Sequence, residues 1–211
     1  SKLIEIMLFP HIARFAQQYG YQMIPSAHQN HYPDITFITP DETKIAFDIK
    51  STYRRSSTRV SGFTLGAFTG YFRNRTSTKN ISFPYGEYAA HFVFGIIYSR
   101  QDNETDDAQQ YTLEQLESIT SVVHDFAFIF YEKWQIASDR PGSGNTKNIG
   151  SLTDIALLIQ GQGPFTQHGK HIFNDYWINY LTADMARQID SHRPYRNLEE
   201  YLVWRQPPQP D

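Results

Sequence analysis

The chain has 211 residues, of which 40% are hydrophobic and 15% aromatic, enough to build one packed domain over residues 1–211. It contains no cysteine, no secretory signal and no apolar run of about 18 residues, so we expect a cytoplasmic protein without disulfides or a membrane span. The start at Ser1 rather than a methionine leaves room for a preceding segment, and we expect the proline-rich tail 205–211 to be frayed.

The net charge of −3 weighs weakly against nucleic-acid binding, but the charges are unevenly distributed. The segment 49–86 carries seven Lys or Arg residues and no acid, whereas 101–132 carries eight acids and no Lys or Arg. A domain polarised in this way can present one cationic face to phosphates. Two solvated loops of opposite sign would give the same pattern, and charge alone leaves that alternative open.

Hydrophobic periodicity and turn residues predict alternating helices and strands. In chain order we expect a helix over Leu3–Gln18 that Pro10 interrupts and Gly20 ends, a short strand over Tyr21–Ile24, and strands over Ile35–Thr39 and Lys44–Lys50. A strand buried on both faces follows over Tyr88–Ser99, then strands over Asp125–Tyr131 and Trp134–Ala137, and a Gly- and Asn-rich loop over Arg140–Gly150. Helices are expected over Leu152–Ile159 and His171–Met185, and a last one capped by Asn197 with Glu200. These elements predict an α/β domain with a mixed sheet flanked by helices.

The stretch from Pro33 to Lys50 carries the candidate chemistry. Thirteen residues separate Asp34 from Asp48, enough for one strand, a polar turn and a second strand. Asp48 and Lys50 are two residues apart on a strand and therefore share a face. Two carboxylates and the carbonyl of Ile49 can hold a hard cation such as Mg²⁺, which indicates phosphodiester hydrolysis.

The role of Lys50 stays open at this point. It can deprotonate or orient the attacking water, or it can offset charge that develops on the phosphate. A bound cation is expected to lower the lysine pKa, which favours the base role. As a bare pattern, however, Pro-Asp followed by Asp-x-Lys is common at strand ends, and a purely structural reading is the better one if nothing else supports it.

Five blocks make the pattern specific. They are Gln29–Asp34, Ala46–Lys50, Phe63–Gly66, Thr78–Ile81 and Gly142–Thr146. Their order and spacing resemble the EcoRV-like type II restriction endonucleases of the PD-(D/E)xK superfamily, and the likeness runs from about Glu5 to Trp204. The resemblance implies a restriction-endonuclease-like α/β core with a central mixed sheet.

The resemblance also implies the site. Asp34, Asp48 and Lys50 match the catalytic residues, with Mg²⁺ held by Asp34, Asp48 and Ile49, and Glu5 takes the place of an auxiliary acid. An equally good reading of Glu5 is a solvated acid in the first turn of a helix, favoured there by the helix dipole.

Gly142–Thr146 resembles the major-groove recognition loop of that family, although an ordinary Gly-Asn turn has the same composition. Asn145 suits a bidentate contact to adenine, and Gln29 and Asn30 match a minor-groove loop. The DNA-binding candidates are Gln29, Asn30, Thr52, Thr64, Arg73, Lys79, Gly142, Ser143, Gly144, Asn145, Thr146 and Asn148. The chain departs from the family pattern in the added charge of Lys147 and in a longer segment over Asn74–Thr78.

By this resemblance we expect a homodimeric, Mg²⁺-dependent deoxyribonuclease that cuts double-stranded DNA bluntly at a palindromic six-base-pair site resembling GATATC and leaves 5′-phosphates. Two alternatives remain. A repair or recombination nuclease with the same core would select DNA structure over sequence, and a non-catalytic DNA-binding module would bind without nicking.

Overall fold

A computed structural model describes residues 2–101, 110–118, 121–142 and 147–206. The helices are α1 (Lys2–Gln18), α2 (Lys133–Ile136), α3 (Ile155–Gln160), α4 (Gly169–Asn179), α5 (Ala183–Gln188) and α6 (Leu198–Trp204). The strands are β1 (Gln22–Pro25), β2 (Ile35–Ile38), β3 (Lys44–Tyr53), β4 (Thr64–Ala67), β5 (Tyr88–Arg100), β6 (Val123–Glu132), β7 (Ala137–Pro141) and β8 (Asn148–Ser151). Short 3-10 turns occupy Gly70–Phe72, Tyr85–Glu87 and Leu113–Ser118. None of the helices in these ranges is long and apolar enough to cross a membrane.

The strands form two sheets, and the expected mixed sheet is confirmed. The larger sheet has the order β1-β2-β3-β5-β6, in which β3 and β5 run parallel and the other neighbours run antiparallel. The smaller sheet is antiparallel with the order β4-β8-β7. A parallel β3–β5 pair needs a long crossover, and the connection through β4 supplies it.

Two hydrophobic clusters cover the faces of the larger sheet. The smaller cluster packs α1 through Ala16 against Ile35, Phe37 and Ile96. The larger cluster lies on the other face, includes Ile97, and joins β5 and β6 to the second sheet and to α3, α4 and α6. Because adjacent residues Ile96 and Ile97 are both fully buried in different clusters, β5 is buried on both faces, as its apolar sequence predicts.

The hairpin between β2 and β3 is closed by local hydrogen bonds of Thr39. Its backbone N–H donates to the Thr43 carbonyl at 3.0 Å, and its side-chain oxygen accepts from the Thr43 N–H at 3.0 Å. Glu42 adopts the left-handed conformation with φ of 62° in this turn. The resulting register pairs Ile35 with Phe47, so Asp34 and Asp48 meet at the next position along the ladder.

Two of the predicted elements are wrong. The strand predicted over Trp134–Ala137 is wrong, because the Glu132 and Gln135 side chains form a capping box that winds Lys133–Ile136 into α2, and Ala137 is the first residue of β7. The helix predicted over His171–Met185 divides into α4 and α5. Tyr180 is extended and buried among aromatic rings, and the Thr182 side chain caps the new helix by accepting from the Met185 N–H at 3.1 Å.

The ends of other elements match the sequence signals closely. Gly20 has φ of +68° after α1. The interruption predicted at Pro10 is wrong, because α1 is one continuous helix from Lys2 to Gln18. Asn197 caps α6 by accepting from the Glu200 N–H at 2.9 Å, but the Glu200 carboxylate reaches the N–H of Arg196 rather than that of Asn197. The loop expected over Arg140–Gly150 is shorter, because β7 and β8 extend into it.

Candidate active site

The hairpin brings Asp34, Asp48 and Lys50 together as predicted. The Lys50 Nζ lies 2.8 Å from Asp48 Oδ2 and 3.6 Å from Asp34 Oδ2. The Ile49 N–H donates to Asp34 Oδ2 at 2.7 Å, which fixes that carboxylate against β3. Asp48 is only 3% exposed, whereas the side chains of Asp34 and Lys50 are about 33% and 27% exposed. The three groups therefore form one compact cluster with an open side.

The charges of this cluster perturb one another. Burial and the neighbouring Asp48 carboxylate raise the pKa of Asp34 from 3.8 to about 6, although Lys50 and the Ile49 N–H oppose the shift. Burial alone would lower the pKa of Lys50, but Asp48 and Asp34 outweigh it and the pKa is raised. In the metal-free protein Lys50 is therefore a firmly held cation, and the second carboxylate ionises only at some cost.

A cleft of about 820 Å³ opens over this cluster. Asp34, Ile49 and Lys50 line it, together with Glu5 of α1 and with Gln29. Glu5 is half-buried at the wall of the cleft that also exposes Asp34 and Lys50. The cleft gives a substrate direct access to Lys50, while Asp48 stays below the surface.

The donor atoms of the cluster suit a divalent metal ion. The Ile49 carbonyl lies 3.4 Å from Lys50 Nζ and so faces the same space as the two carboxylates. Over the ranges that the structure describes, no three His, Cys, Asp or Glu side chains converge as a metal site. Two carboxylates with one carbonyl form an oxygen-only set that leaves room for water and phosphate, as Mg²⁺ requires, and it lacks the nitrogen and sulfur ligands typical of zinc.

The DNA-binding candidates fall into two groups. Gln29 and Thr64 line the cleft and are exposed, and Asn30 and Lys79 are exposed as well. Thr52, by contrast, is 3% exposed, and its hydroxyl has no hydrogen-bond partner.

Arg73 is also drawn inward. Its guanidinium donates to the Tyr180 carbonyl and lies 5.5 Å from the centre of the Phe68 ring. A contact between Arg73 and a DNA phosphate would therefore require this packing to open. The sequence could not show this, because Tyr180 lies far along the chain.

The recognition loop joins two paired strands. The Gly142 N–H donates to the Asn148 carbonyl at 2.9 Å, so the ends of the loop are held together. A Cβ at Gly150 would lie 3.0 Å from the Gly142 Cα, which shows how closely the two strands approach. Ser143, Gly144, Asn145 and Thr146 lie outside the described residues, and their role stays a prediction.

Behind the carboxylates lies an aromatic stack that the sequence did not reveal. Tyr32, two residues before Asp34, stacks on Tyr71 and Tyr85 with ring centres 5.4 and 6.0 Å apart and shares a 2.9 Å hydrogen bond with His91. The Nζ of Lys133 lies 4.2 Å from the centre of the Tyr32 ring. The lysine follows directly on the apolar strand β6, and that position was the only available signal of its burial.

Comparison with known proteins shows what this chain is similar to. The family model described as restriction endonuclease EcoRV matches residues 1–206. The type II restriction enzyme EcoRV of Escherichia coli is 36% identical over 207 residues, which cover 97% of this chain and 81% of that protein.

Proposed function

The chain belongs to the EcoRV family of type II restriction endonucleases, and we propose that it is a Mg²⁺-dependent homodimer that cuts double-stranded DNA at a palindromic six-base-pair site resembling GATATC. The cut is blunt and leaves 5′-phosphates. Support for the target comes from the Gly142–Thr146 block, which has the composition of a loop that reads base edges. Support for the dimer comes from symmetry, because a twofold protein matches a palindrome with one half-site for each subunit.

The observation that carries the chemistry is the convergence of Asp34, Asp48 and Lys50 at one open cleft. Asp34, Asp48 and the Ile49 carbonyl would hold the metal ion. When bound, that ion supplies charge neutralisation at the scissile phosphate and an acidified water.

Side chains at the cleft orient the attacking water, stabilise the phosphate and contact the DNA. Asp48 anchors Lys50 through the 2.8 Å ion pair, so the ammonium group stays aimed into the cleft. There it orients the attacking water and offsets the negative charge that builds up on the phosphate. This electrostatic role rests on the ion pair of Lys50 with Asp48 and on the place of Lys50 in the wall of the cleft. Gln29 and Thr64 line the cleft, where they contact the DNA that enters it.

One experiment tests the proposal. A sequenced plasmid is digested with purified protein and Mg²⁺, and the ends are mapped, with Asp48→Ala as the matched inactive control. We expect discrete bands with blunt ends at one palindrome for the native protein and intact plasmid for the control. Cleavage only of junctions or flaps would favour the repair nuclease instead. A gel shift without any nicking would favour the non-catalytic module, and equal activity of the Asp48→Ala variant would overturn the assignment of the site.

A further inference from the structure

Lys133 is a lysine buried among the aromatic rings that lie behind the catalytic cluster. It is 3% exposed at the start of α2, directly after the last β5–β6 pair, Phe92 with Glu132. Its ammonium group forms no salt bridge with any carboxylate of the described ranges. Burial of a charged amine without an adjacent counter-ion is costly, and a methionine of the same length would fill this space without that cost.

The contacts of Lys133 join it to the segment that carries Asp34. Its Nζ lies 4.2 Å from the centre of the Tyr32 ring and 5.6 Å from that of Tyr85. On the other side it faces β4, where a Cβ at Gly66 would lie 3.8 Å from the ammonium nitrogen. Tyr32 itself is held by backbone hydrogen bonds to Asn80 and Ser82. A cation over the ring completes a rigid support one residue before the Pro33-Asp34 pair.

The charge of Lys133 also reaches the carboxylates. Burial lowers its pKa to about 7, Asp48 opposes that shift, and Lys50 adds to it. Geometry agrees, because Tyr32 and Ala46 lie in one cluster and Asp48, two residues after Ala46, shares its face of β3, so Lys133 and the carboxylates lie on one side of the sheet. His91, which pairs with Ala46 on the neighbouring strand, lines one small cavity with Lys133 and with Glu132 and Lys170, which pair with each other at 3.4 Å.

We propose that Lys133 is a positioning residue of the active site. Its buried ammonium group holds the ring of Tyr32, which lies two residues before Asp34, and so fixes the position of Asp34. Its positive charge also offsets part of the negative charge of Asp34 and Asp48. The inference rests on the proposed function, because those carboxylates are the proposed metal ligands. A rigid support for Asp34 would keep the metal ion aligned with the phosphate that is attacked. A displacement of about 1 Å at such a site costs on the order of 100-fold in rate.

The test compares Lys133→Met with native protein by two readouts. The first is Mn²⁺ binding to the protein without DNA, followed by the electron paramagnetic resonance of free Mn²⁺. At pH 6.5 the variant should bind Mn²⁺ about threefold more tightly or better, because a competing positive charge has been removed. At pH 8.5, above the pKa of Lys133, the two proteins should bind Mn²⁺ alike.

The titratable groups around Lys133 do not obscure the comparison of Mn²⁺ binding at pH 6.5 and pH 8.5. Burial lowers the pKa of His91 well below its usual range and raises those of Tyr32, Tyr71 and Tyr85, so none of these changes charge between the two pH values. Asp34 titrates near the lower value, but it does so in both proteins. If the substitution only disturbed the packing, Mn²⁺ binding would become weaker at both pH values, whereas the proposal predicts tighter binding at pH 6.5.

The second readout is single-turnover cleavage at pH 6.5 with saturating Mg²⁺, on DNA that the native protein cuts at that pH. The variant should lose about tenfold or more in rate, with DNA affinity unchanged within about twofold. Lys170→Met is the matched control, since it removes the same charge from a half-exposed lysine that pairs with Glu132 and has no contact with the Tyr32 ring, and it should alter neither readout.

The outcomes separate the two proposals. If native protein neither binds Mn²⁺ nor cuts DNA, the proposed function fails. If native protein does both and Lys133→Met matches it, or binds Mn²⁺ more weakly together with a lower melting temperature, only the role of Lys133 is overturned. Lys133→Gln provides the same comparison if the methionine variant does not fold.

Discussion

Asp34→Asn should make the metal-free protein more stable at neutral pH while it abolishes cleavage. Asparagine keeps the shape of the side chain and can still accept the 2.7 Å hydrogen bond from the Ile49 N–H. What it loses is a negative charge that burial and Asp48 disfavour. Burial and the Asp48 charge therefore disfavour a negative charge at this position beyond what Lys50 offsets, and Asp34→Asn removes that charge.

The magnitude follows from the pKa of Asp34. A rise from 3.8 to about 6 corresponds to roughly 3 kcal/mol of unfavourable interaction of the charged form in the folded state. Because about a third of the Asp34 side chain is exposed, solvent screening reduces this to about 1–2 kcal/mol. For a chain of this length, that change raises the melting temperature by about 2–8 °C.

The direction in which stability changes with pH follows from the raised pKa of Asp34. Between pH 4 and 6 the folded state binds more protons than the unfolded state, since only the folded-state pKa of Asp34 is raised. The native protein therefore loses stability as the pH rises through this window, and above it the loss is complete. Asp34→Asn lacks this dependence. The two proteins should melt at similar temperatures near pH 4, and the variant should melt higher from pH 7 upward.

The assay is thermal unfolding followed by circular dichroism in EDTA, at several pH values between 4 and 8. Addition of Mg²⁺ at pH 8 should then stabilise the native protein and leave the variant nearly unchanged. A variant that melts lower than native protein at pH 8, or a difference that stays constant with pH, would refute the reasoning about repulsion between the carboxylates.

Three further predictions concern catalysis, readout and packing. Lys50→Met should lower the cleavage rate by about 100-fold or more while gel-shift affinity for DNA changes little, because the ammonium group acts in the transition state; equal losses in affinity and rate would contradict this role. Asn145→Ala should lose about 1–3 kcal/mol of discrimination for its base pair; an unchanged cleavage map on a sequenced plasmid would exclude that contact. Gly95→Ala should destabilise the protein by about 1–3 kcal/mol in denaturant unfolding, because a Cβ there would lie 2.6 Å from Ile129 Cγ1 and 2.9 Å from Phe63 Cζ. Gly86→Ala is its control, with no contact closer than 3.4 Å, and an equal loss in both variants would show that packing is not the cause.

Local chemistry determined the central hairpin. The turn residues between β2 and β3 and the alternation of apolar side chains fix the register within a few residues of chain, so the sequence alone placed Asp34, Asp48 and Lys50 together. The same holds for Gly20 after α1 and for the cap at Asn197, where each signal acts over three or four residues.

Tertiary packing decided the features that the sequence missed. The helix α4 ends at Tyr180, whose backbone is extended and whose ring packs against Trp177 and Tyr195. The guanidinium of Arg73 turns inward and donates a hydrogen bond to the Tyr180 carbonyl. Lys133 is buried because strands and turns from distant parts of the chain close around it. Periodicity and turn composition report contacts within a few residues, whereas the burial of a charged side chain depends on which distant segments meet it. The sequence thus determined the catalytic hairpin, and only the folded structure decided what supports it from behind.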